Sequence, residues 1–361
     1  MRIGLVIYGS LHQVTGGYIY DRKLVEHLRK QGDQVEIISL PRRPYAHHMA
    51  DNFLPSVRRR LIRATPDVLV EDELNHPSLF WLNRWLNRRA SYPIISIVHH
   101  LRSSEDRPAW QNRIYLSIER RFLLSVNGFV FNSETTAAAV ARVTRCQKPA
   151  VVAPPGGDRL TPRIDPSEIT RRAHDLSLLR VLFVGNVIPR KNLEILVAAL
   201  SRLPKDTWRL EVIGDVTTDP AYMNRIRNQI DRSDLTGQIV FSGCCSDRDL
   251  AARYVESHVL AVPSSYEGFG IVYLEAMGFG VPVIASRDGA AHEIITHGQN
   301  GFLLQPGDAA GLARCLQEMH GNRRALARMG LAAFEAYHKH PSWAACGDRI
   351  RSFLLSVIRS R

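Results

Sequence analysis

The feature that most constrains this chain is a series of short, mainly apolar runs separated by helix-length stretches. Six lie in the first half, at residues 3–7, 35–39, 68–70, 94–98, 128–131 and 151–153. Five follow in the second, at 181–184, 210–213, 239–242, 259–262 and 283–285. Continuous Val/Ile/Leu runs predict strands buried on both faces, because a parallel sheet has no solvent face for alternating polar residues. Alternation with helical patterns predicts βαβ units and a doubly wound α/β fold. The series breaks near residues 160–178, where Thr161-Pro162-Arg163-Ile164-Asp165-Pro166 interrupts it and proline bars a continuing helix. Two Rossmann-like parallel-sheet domains are therefore expected, at 1–165 and 166–340, followed by a segment, 341–361. That last segment has helical spacing through Trp343, Ile350, Phe353, Leu354 and Ile358. A length of 361 residues suits two domains of roughly 100–200 residues each.

Composition narrows the function. No apolar run approaches the roughly 18 residues of a membrane span, and the opening Met1-Arg2-Ile3-Gly4-Leu5-Val6-Ile7 is too short for a signal peptide and reads as a first strand. Five cysteines without C-x-x-C spacing fit neither a disulfide framework nor a zinc site, so a reducing cytoplasm is the expected compartment. The net charge of +12 is uneven: residues 1–165 hold 24 Lys/Arg against 15 Asp/Glu. Arginines cluster at Arg58-Arg59-Arg60 with Arg63, at Arg84, Arg88 and Arg89, and at Arg120-Arg121. Such clusters suit an anionic membrane surface or a phosphorylated acceptor; solvated helix faces are the other reading. Nucleic acid is not expected, since zinc-finger, helix-turn-helix and RNP patterns are missing.

Four stretches carry candidate chemistry. Residues 263–277, Pro-Ser-Ser-Tyr-Glu-Gly-Phe-Gly-Ile-Val-Tyr-Leu-Glu-Ala-Met, follow an apolar run and place Glu267 and Glu275 eight positions apart across a Gly268-Phe269-Gly270 turn. A strand–turn–helix unit of this kind offers backbone N–H groups and a carboxylate at a strand's end, with the second acid about two helical turns on. Gly16-Gly17 follows the first run and precedes a helical stretch, where glycine lets a backbone approach a phosphate or simply makes a βα turn. His99-His100 ends the fourth run; adjacent residues there point to opposite faces and are a poor pair for chelating one metal. Residues 183–193, Phe-Val-Gly-Asn-Val-Ile-Pro-Arg-Lys-Asn-Leu, form a strand–loop–helix opening with two adjacent cations, Arg190 and Lys191. Ser246-Asp247-Arg248-Asp249 contains D-x-D but reads as a helix capping box ahead of Leu250, Tyr254 and Val255. Ser133, in Asn132-Ser133-Glu134, reads as a helix N-cap. Glu71-Asp72-Glu73 and His76 read either as cleft residues that position an acceptor or as solvated loop charges.

The 263–277 stretch resembles the E-x7-E signature of retaining family 4 glycosyltransferases, whose fold is GT-B. Gly280-Val281-Pro282-Val283-Ile284-Ala285 and Asn300-Gly301-Phe302-Leu303 follow in that family's order, and the similarity is dense over 180–305. The resemblance implies two Rossmann-like domains with an interdomain cleft, a terminal helix crossing back to the first domain, a nucleotide-diphosphate sugar donor, and neither catalytic metal nor cofactor. It implies that Glu267 contacts hydroxyls of the donor sugar and that Glu275 accepts from the ribose. Backbone N–H groups at Gly268, Phe269 and Gly270 would bind sugar hydroxyls, and those at Ile271 and Val272 phosphates. Lys191 stands at the family's pyrophosphate-gripping lysine; Asn186 stands where the family has arginine, and Arg190 is the candidate to replace that charge. Gly16 and Gly17 match a loop that touches the donor diphosphate, and His99 matches a histidine beside the transferred sugar. His100 stands where the family usually has an acid. The acceptor implied is a glycan or a lipid-linked glycan. A non-catalytic nucleotide- or glycan-binding protein and a nucleotide-sugar epimerase are the rival readings on this fold.

Overall fold

Among residues 1–13 and 15–360, which the computed structural model describes, twelve strands form two six-stranded sheets. The side chain of Arg63, counted above in a basic cluster, and Arg361, at the end of the tail, lie outside the described residues. The first sheet holds β1 (Arg2–Tyr8), β2 (Gln34–Leu40), β3 (Val68–Asp72), β4 (Ile94–Val98), β5 (Gly128–Phe131) and β6 (Ala150–Val152), in the order β2-β1-β3-β4-β5-β6. The second holds β7 (Leu179–Val184), β8 (Trp208–Ile213), β9 (Ile239–Gly243), β10 (Val259–Val262), β11 (Val283–Ser286) and β12 (Gly301–Leu304), in the order β12-β11-β10-β7-β8-β9. Every strand pair is parallel. Burial follows the apolar runs: β3, β4, β5, β10 and β11 are buried at every position. All eleven apolar runs form strands, and β12 joins them as a short edge strand after Asn300.

The chain divides into two compact units, Met1–Gly156 with Pro341–Arg361, and Gly157–His340. In the first, the terminal helix Trp343–Arg359 packs on the helix Gly16–Lys30. Asp348 meets His27 at 2.9 Å, Arg351 Nε donates to Asp33 at 2.7 Å, and the Trp343 ring stands edge-on to Tyr20. In the second, the proline-interrupted run leads into the helix Pro166–His174 rather than ending one. Pro166 sits at its first position, where a missing N–H costs nothing, and Asp165 caps it in a reciprocal box with Glu168.

Strand order locates the polar crevices. In the second sheet the chain winds from β7 through β8 to β9, then crosses to β10 on the other side of β7, the 3-2-1-4-5-6 order of a dinucleotide-binding sheet. Loops leaving β7 and β10 run to opposite faces, so a crevice opens beyond those two C-terminal ends. Those loops are residues 185–192 and 263–270. In the first sheet the corresponding reversal falls between β1 and β3, where the segment into Gly16 and the residues after Asp72 leave the sheet.

Candidate functional site

In the second unit the loop after β7 holds Lys191 by backbone shape. Pro189–Lys191 makes a 3-10 turn, and Asn192 adopts a left-handed conformation (φ 51°) before the helix Leu193–Leu200 begins. The lysine stem crosses Gly185, where an added Cβ would lie 3.2 Å from Lys191 Cε. Lys191 Nζ donates to Glu267 Oε1 at 2.6 Å. Arg190 Nη1 donates to the same oxygen at 3.0 Å and to the Tyr266 carbonyl at 2.9 Å, while Ser265 N–H donates to the Arg190 carbonyl. That reciprocal tie turns Arg190 toward Lys191. Glu267 is fixed in turn by Ala290 N–H, which donates to its carbonyl at 2.9 Å.

Two cations thus share one carboxylate. Burial pushes the Glu267 carboxyl up, yet Lys191 and Arg190 outweigh it and bring it down to about 2. Burial pulls the Lys191 ammonium below its ordinary value, and Arg190 adds to that pull. The Glu267 carboxyl is held down by its two cations and the Lys191 ammonium chiefly by burial; two cations on one carboxylate leave the cluster with net positive charge in a largely desolvated place. Such a cluster gains by accepting an anion.

The turn after β10 completes this face. Gly270 has φ +97°, and a Cβ there would collide with the Tyr273 ring, so only glycine fits ahead of the helix Ile271–Gly278. Gly268 and Phe269 form the rest of the turn, with Phe269 buried against the His340 ring at 5.8 Å. Ile271 and Val272 supply first-turn N–H groups, which a helix leaves without intrahelical acceptors.

Glu275 sits in a separate network. It is 1% exposed; Arg159 Nε donates to its Oε1 at 2.6 Å and the Tyr254 hydroxyl approaches its Oε2 at 3.5 Å. Arg159 also pairs with Asp247. Burial raises the Glu275 carboxyl above its ordinary value despite Arg159. Nothing in the sequence pointed to Arg159, which lies just after the Gly156-Gly157 junction, far from any motif. Asn186 Oδ1 accepts the Asp215 N–H at 3.4 Å, which braces two loops. Ser246 caps the helix Asp247–Glu256 by accepting the Asp249 N–H, so the D-x-D stretch is a helix start. Ser133 caps the helix Glu134–Thr144 in the same way, through the Thr136 N–H.

In the first unit Gly16 and Gly17 form the first turn of the helix Gly16–Lys30. Gly17 lies flat against His99: a Cβ there would stand 3.0 Å from the ring Cδ2. His99 Nε2 pairs with Asp21 Oδ1 at 3.2 Å, and Asn132 Nδ2 donates to the His99 carbonyl. His100 turns the other way, to Glu105 at 3.1 Å. The acids read above as cleft or loop charges are neither solvated nor in a loop. β3 runs through Glu71 to Asp72, and Glu71, Asp72, Glu73 and His76 are all buried. Burial pushes the Glu71 carboxyl up to about 8, with Asn83 Nδ2 donating to it at 2.7 Å. Among the described residues two groups could present three ligand atoms to a metal: Asp21, Asp72 and His99, and Glu73, His76 and Glu119. In the second group both His76 nitrogens are engaged, Nδ1 by the Glu73 carbonyl and Nε2 by the Tyr45 hydroxyl.

Two Rossmann-like sheets in one chain, each reversing direction once, are the GT-B architecture. Sucrose-phosphate synthase from Thermosynechococcus elongatus has the same fold over 100% of both chains, with a TM-score of 0.86 at 21% identity. The model described as Glycosyltransferase Family 4 matches residues 18–159, and that described as Glycosyl transferases group 1 matches residues 168–336. The chain belongs to this family of GT-B glycosyltransferases. Sulfoquinovosyl transferase SQD2 of Arabidopsis thaliana is 31% identical over 175 residues, 48% of this chain and 32% of that protein. The GDP-mannose-dependent alpha-(1-6)-phosphatidylinositol monomannoside mannosyltransferase of Mycolicibacterium smegmatis is 28% identical over 214 residues, 56% of this chain and 55% of that protein. The chain spans 32% to 60% of the length of the first curated relatives it matches.

Proposed function

We propose that this chain is a retaining, metal-independent glycosyltransferase that moves a sugar from a nucleotide-diphosphate donor to an acceptor hydroxyl. The observation that carries the reading is the Lys191–Arg190–Glu267 cluster at the β7/β10 reversal, two cations on one carboxylate beside a helix start. The donor diphosphate brings the negative charge that this cluster lacks. Breaking the bond from anomeric carbon to phosphate builds charge on the leaving diphosphate and opposite charge on an oxocarbenium-like sugar. Lys191, Arg190 and the N–H groups of Ile271 and Val272 stabilise the first more strongly as it develops, which is what accelerates the step. These fixed positive groups perform the charge neutralisation that a metal performs in other transferases. Asn186 braces a loop and leaves the second cation's role to Arg190.

Glu267, released from its cations by the incoming phosphates, accepts from sugar hydroxyls, with the Gly268, Phe269 and Gly270 N–H groups alongside. Glu275 takes the ribose hydroxyls once Arg159 yields its place. The acceptor hydroxyl attacks from the face the diphosphate leaves, a donor phosphate oxygen taking its proton.

For the acceptor we favour a glycan, lipid-linked or at the cell surface, reached from the cytoplasmic side of an anionic membrane. A relative named for a phosphatidylinositol mannoside supports this. So does the first unit's surface, where Phe53 (66% exposed) and Trp81 (47%) meet edge to face at 5.2 Å. Nearby, the Arg58 guanidinium lies 3.6 Å over the Trp85 ring and Arg89 4.6 Å. No helix among the described residues is long and apolar enough to cross a membrane. Incubation with UDP-, GDP- and ADP-sugars plus lipid-extract acceptors tests the reading: wild type transfers sugar and Glu267→Ala does not. Wild type that binds donors but turns none over points instead to a non-catalytic binder.

A further inference from the structure

The loop after β4 holds a cation that has no counter-ion. Arg102 opens the short turn Arg102–Ser104, just beyond His99 and His100. Its guanidinium carbon lies 4.9 Å from the Tyr115 ring centroid and 5.1 Å from that of Tyr45. The two rings stand edge to face at 4.6 Å and form a corner for the guanidinium. Both walls of the corner are fixed. The Tyr45 hydroxyl donates to His76 Nε2 at 2.8 Å, since His76 Nδ1–H is given to the Glu73 carbonyl. Tyr115 is carried by the helix Ala109–Ser125, and Arg107 lies over the same ring at 5.4 Å.

The acids of this region are committed to other groups. Glu105 accepts from Arg107 Nη2 at 2.6 Å and pairs with His100 at 3.1 Å. Glu119 accepts the Ser103 N–H at 3.2 Å and the Ser103 hydroxyl as well. Glu73 pairs with His76 at 3.0 Å. Arg102 makes no ion pair and no side-chain hydrogen bond among the described residues. Its Nε is buried without a partner, while its two terminal nitrogens stay open to solvent. A guanidinium pinned by two rings with its N–H groups unspent is a preorganised planar fork for an anion.

Topology brings these residues to the edge where ligands bind in such sheets. β2, β3 and β4 are parallel, so Tyr45, Glu73 with His76, and His99 through Arg102 all follow C-terminal strand ends on one edge of the first sheet. We propose that Arg102, cornered by Tyr45 and Tyr115, binds a phosphate group of the acceptor. Only the word acceptor rests on the transfer reading; the phosphate site stands on the corner itself. Arg107, over the same ring, brings a second guanidinium close by. Two such forks suit the several oxygens and the roughly double negative charge of a phosphate monoester better than a single carboxylate. A lipid headgroup and a soluble sugar phosphate present that same chemistry. Tyr45 and Tyr115 are positioning residues that hold the fork.

Arginine labelled with 15N reports each Nε–H, and Arg102→Lys assigns the signal of Arg102. The full chain is titrated with glycerol 1-phosphate, acetate and glycerol at constant ionic strength. Glycerol 1-phosphate is expected to shift the Arg102 signal saturably, and equally in Lys191→Met, which impairs the donor cluster. Arg102→Lys, which keeps the charge and loses the fork, weakens glycerol 1-phosphate binding about tenfold in that background. Tyr115→Leu weakens it about threefold through the lost corner. In an active enzyme Arg102→Lys raises the KM of a phosphorylated acceptor and leaves the donor KM unchanged, a split that a merely structural role would not produce. An Arg102 signal that stays still in wild type overturns the proposal, whether or not the variants fold; so does an equal shift with acetate or glycerol. Monomeric dihexanoyl phosphatidic acid separates the sources: tighter binding than glycerol 1-phosphate assigns a lipid headgroup, and binding no tighter assigns a soluble phosphate, the phosphate site standing in both cases. If no nucleotide sugar is turned over yet the signal moves, the transfer reading fails and the site stands; if sugar is transferred and the signal is still, this inference alone fails.

Discussion

Lys191 and Glu267, 76 positions apart in the chain, meet at 2.6 Å with Arg190 on the same carboxylate oxygen. They meet because the sheet reverses between β7 and β10 and sends both loops to one crevice. The surplus cation is the physical basis of the donor site proposed above.

Replacing Lys191 by methionine keeps the stem over Gly185 and removes only the charge. Because that charge acts on the developing diphosphate, kcat is expected to fall about 100- to 1,000-fold. Arg190→Met is expected to be milder, since Lys191 remains. Steady-state kinetics on both variants decide it; an unchanged kcat in Lys191→Met contradicts the assignment.

Acid should weaken the fold through Glu267. Its folded-state value, about 2, lies below the ordinary carboxylate range. The stabilisation is therefore fully present above the unfolded value and is lost as pH falls toward 2. Urea unfolding of wild type and Glu267→Gln at pH 6.5 and 3.5 is expected to show their difference shrinking by about 1–2 kcal/mol at the lower pH. A difference that grows in acid has the wrong sign.

Arg159→Ala leaves the Glu275 carboxyl buried without its cation. Breaking a buried pair from one side costs about 3–5 kcal/mol. Adding Glu275→Gln to Arg159→Ala should recover part of that loss in chemical denaturation. A double variant no more stable than the single one shows that the ion pair is not what Arg159 contributes.

Gly270→Ala forces a side chain into φ +97° against Tyr273. The strain is about 1–3 kcal/mol, and the turn that presents Gly268 and the Ile271 N–H shifts with it. Lower stability together with weaker donor binding is expected; full donor affinity in a destabilised variant would separate the turn from the site.

Binding to anionic vesicles is expected at low salt and should weaken at high salt, because the arginines of the first unit act by screened attraction. Phe53→Ala with Trp81→Ala should reduce co-sedimentation further at fixed salt. Equal sedimentation with neutral vesicles speaks against the basic surface.

The parallel sheets were legible because burial on both faces writes itself into short, mainly apolar runs. β12 was harder: four residues after Asn300 carry too little pattern to stand apart from a loop. The Lys191–Glu267 meeting was approachable from motif resemblance, since both residues follow strands. The aim of Arg190 was not, because it is set by the Tyr266 carbonyl, 76 positions away. Glu71, Asp72 and Glu73 read from sequence either as cleft residues that position an acceptor or as solvated loop charges. Only the fold reveals that all three are buried: Glu71 beside Asn83, Asp72 at the end of β3 near Asp21 and His99, and Glu73, just past the strand, near His76 and Glu119. Arg159 had no sequence signal, since its partners Glu275 and Asp247 are long-range and its neighbours are junction residues. Gly17 had two readings in sequence, approach to a phosphate or a βα turn, and its close approach to the His99 ring was in neither.

Calorimetric titration of wild type, Lys191→Met and Glu267→Gln with UDP-, GDP- and ADP-sugars tests the central claim most directly. One nucleotide class should bind wild type, with affinity reduced at least tenfold in Lys191→Met and weaker discrimination between sugars in Glu267→Gln. Failure of every nucleotide sugar to bind wild type, or equal affinity in Lys191→Met, would contradict the account.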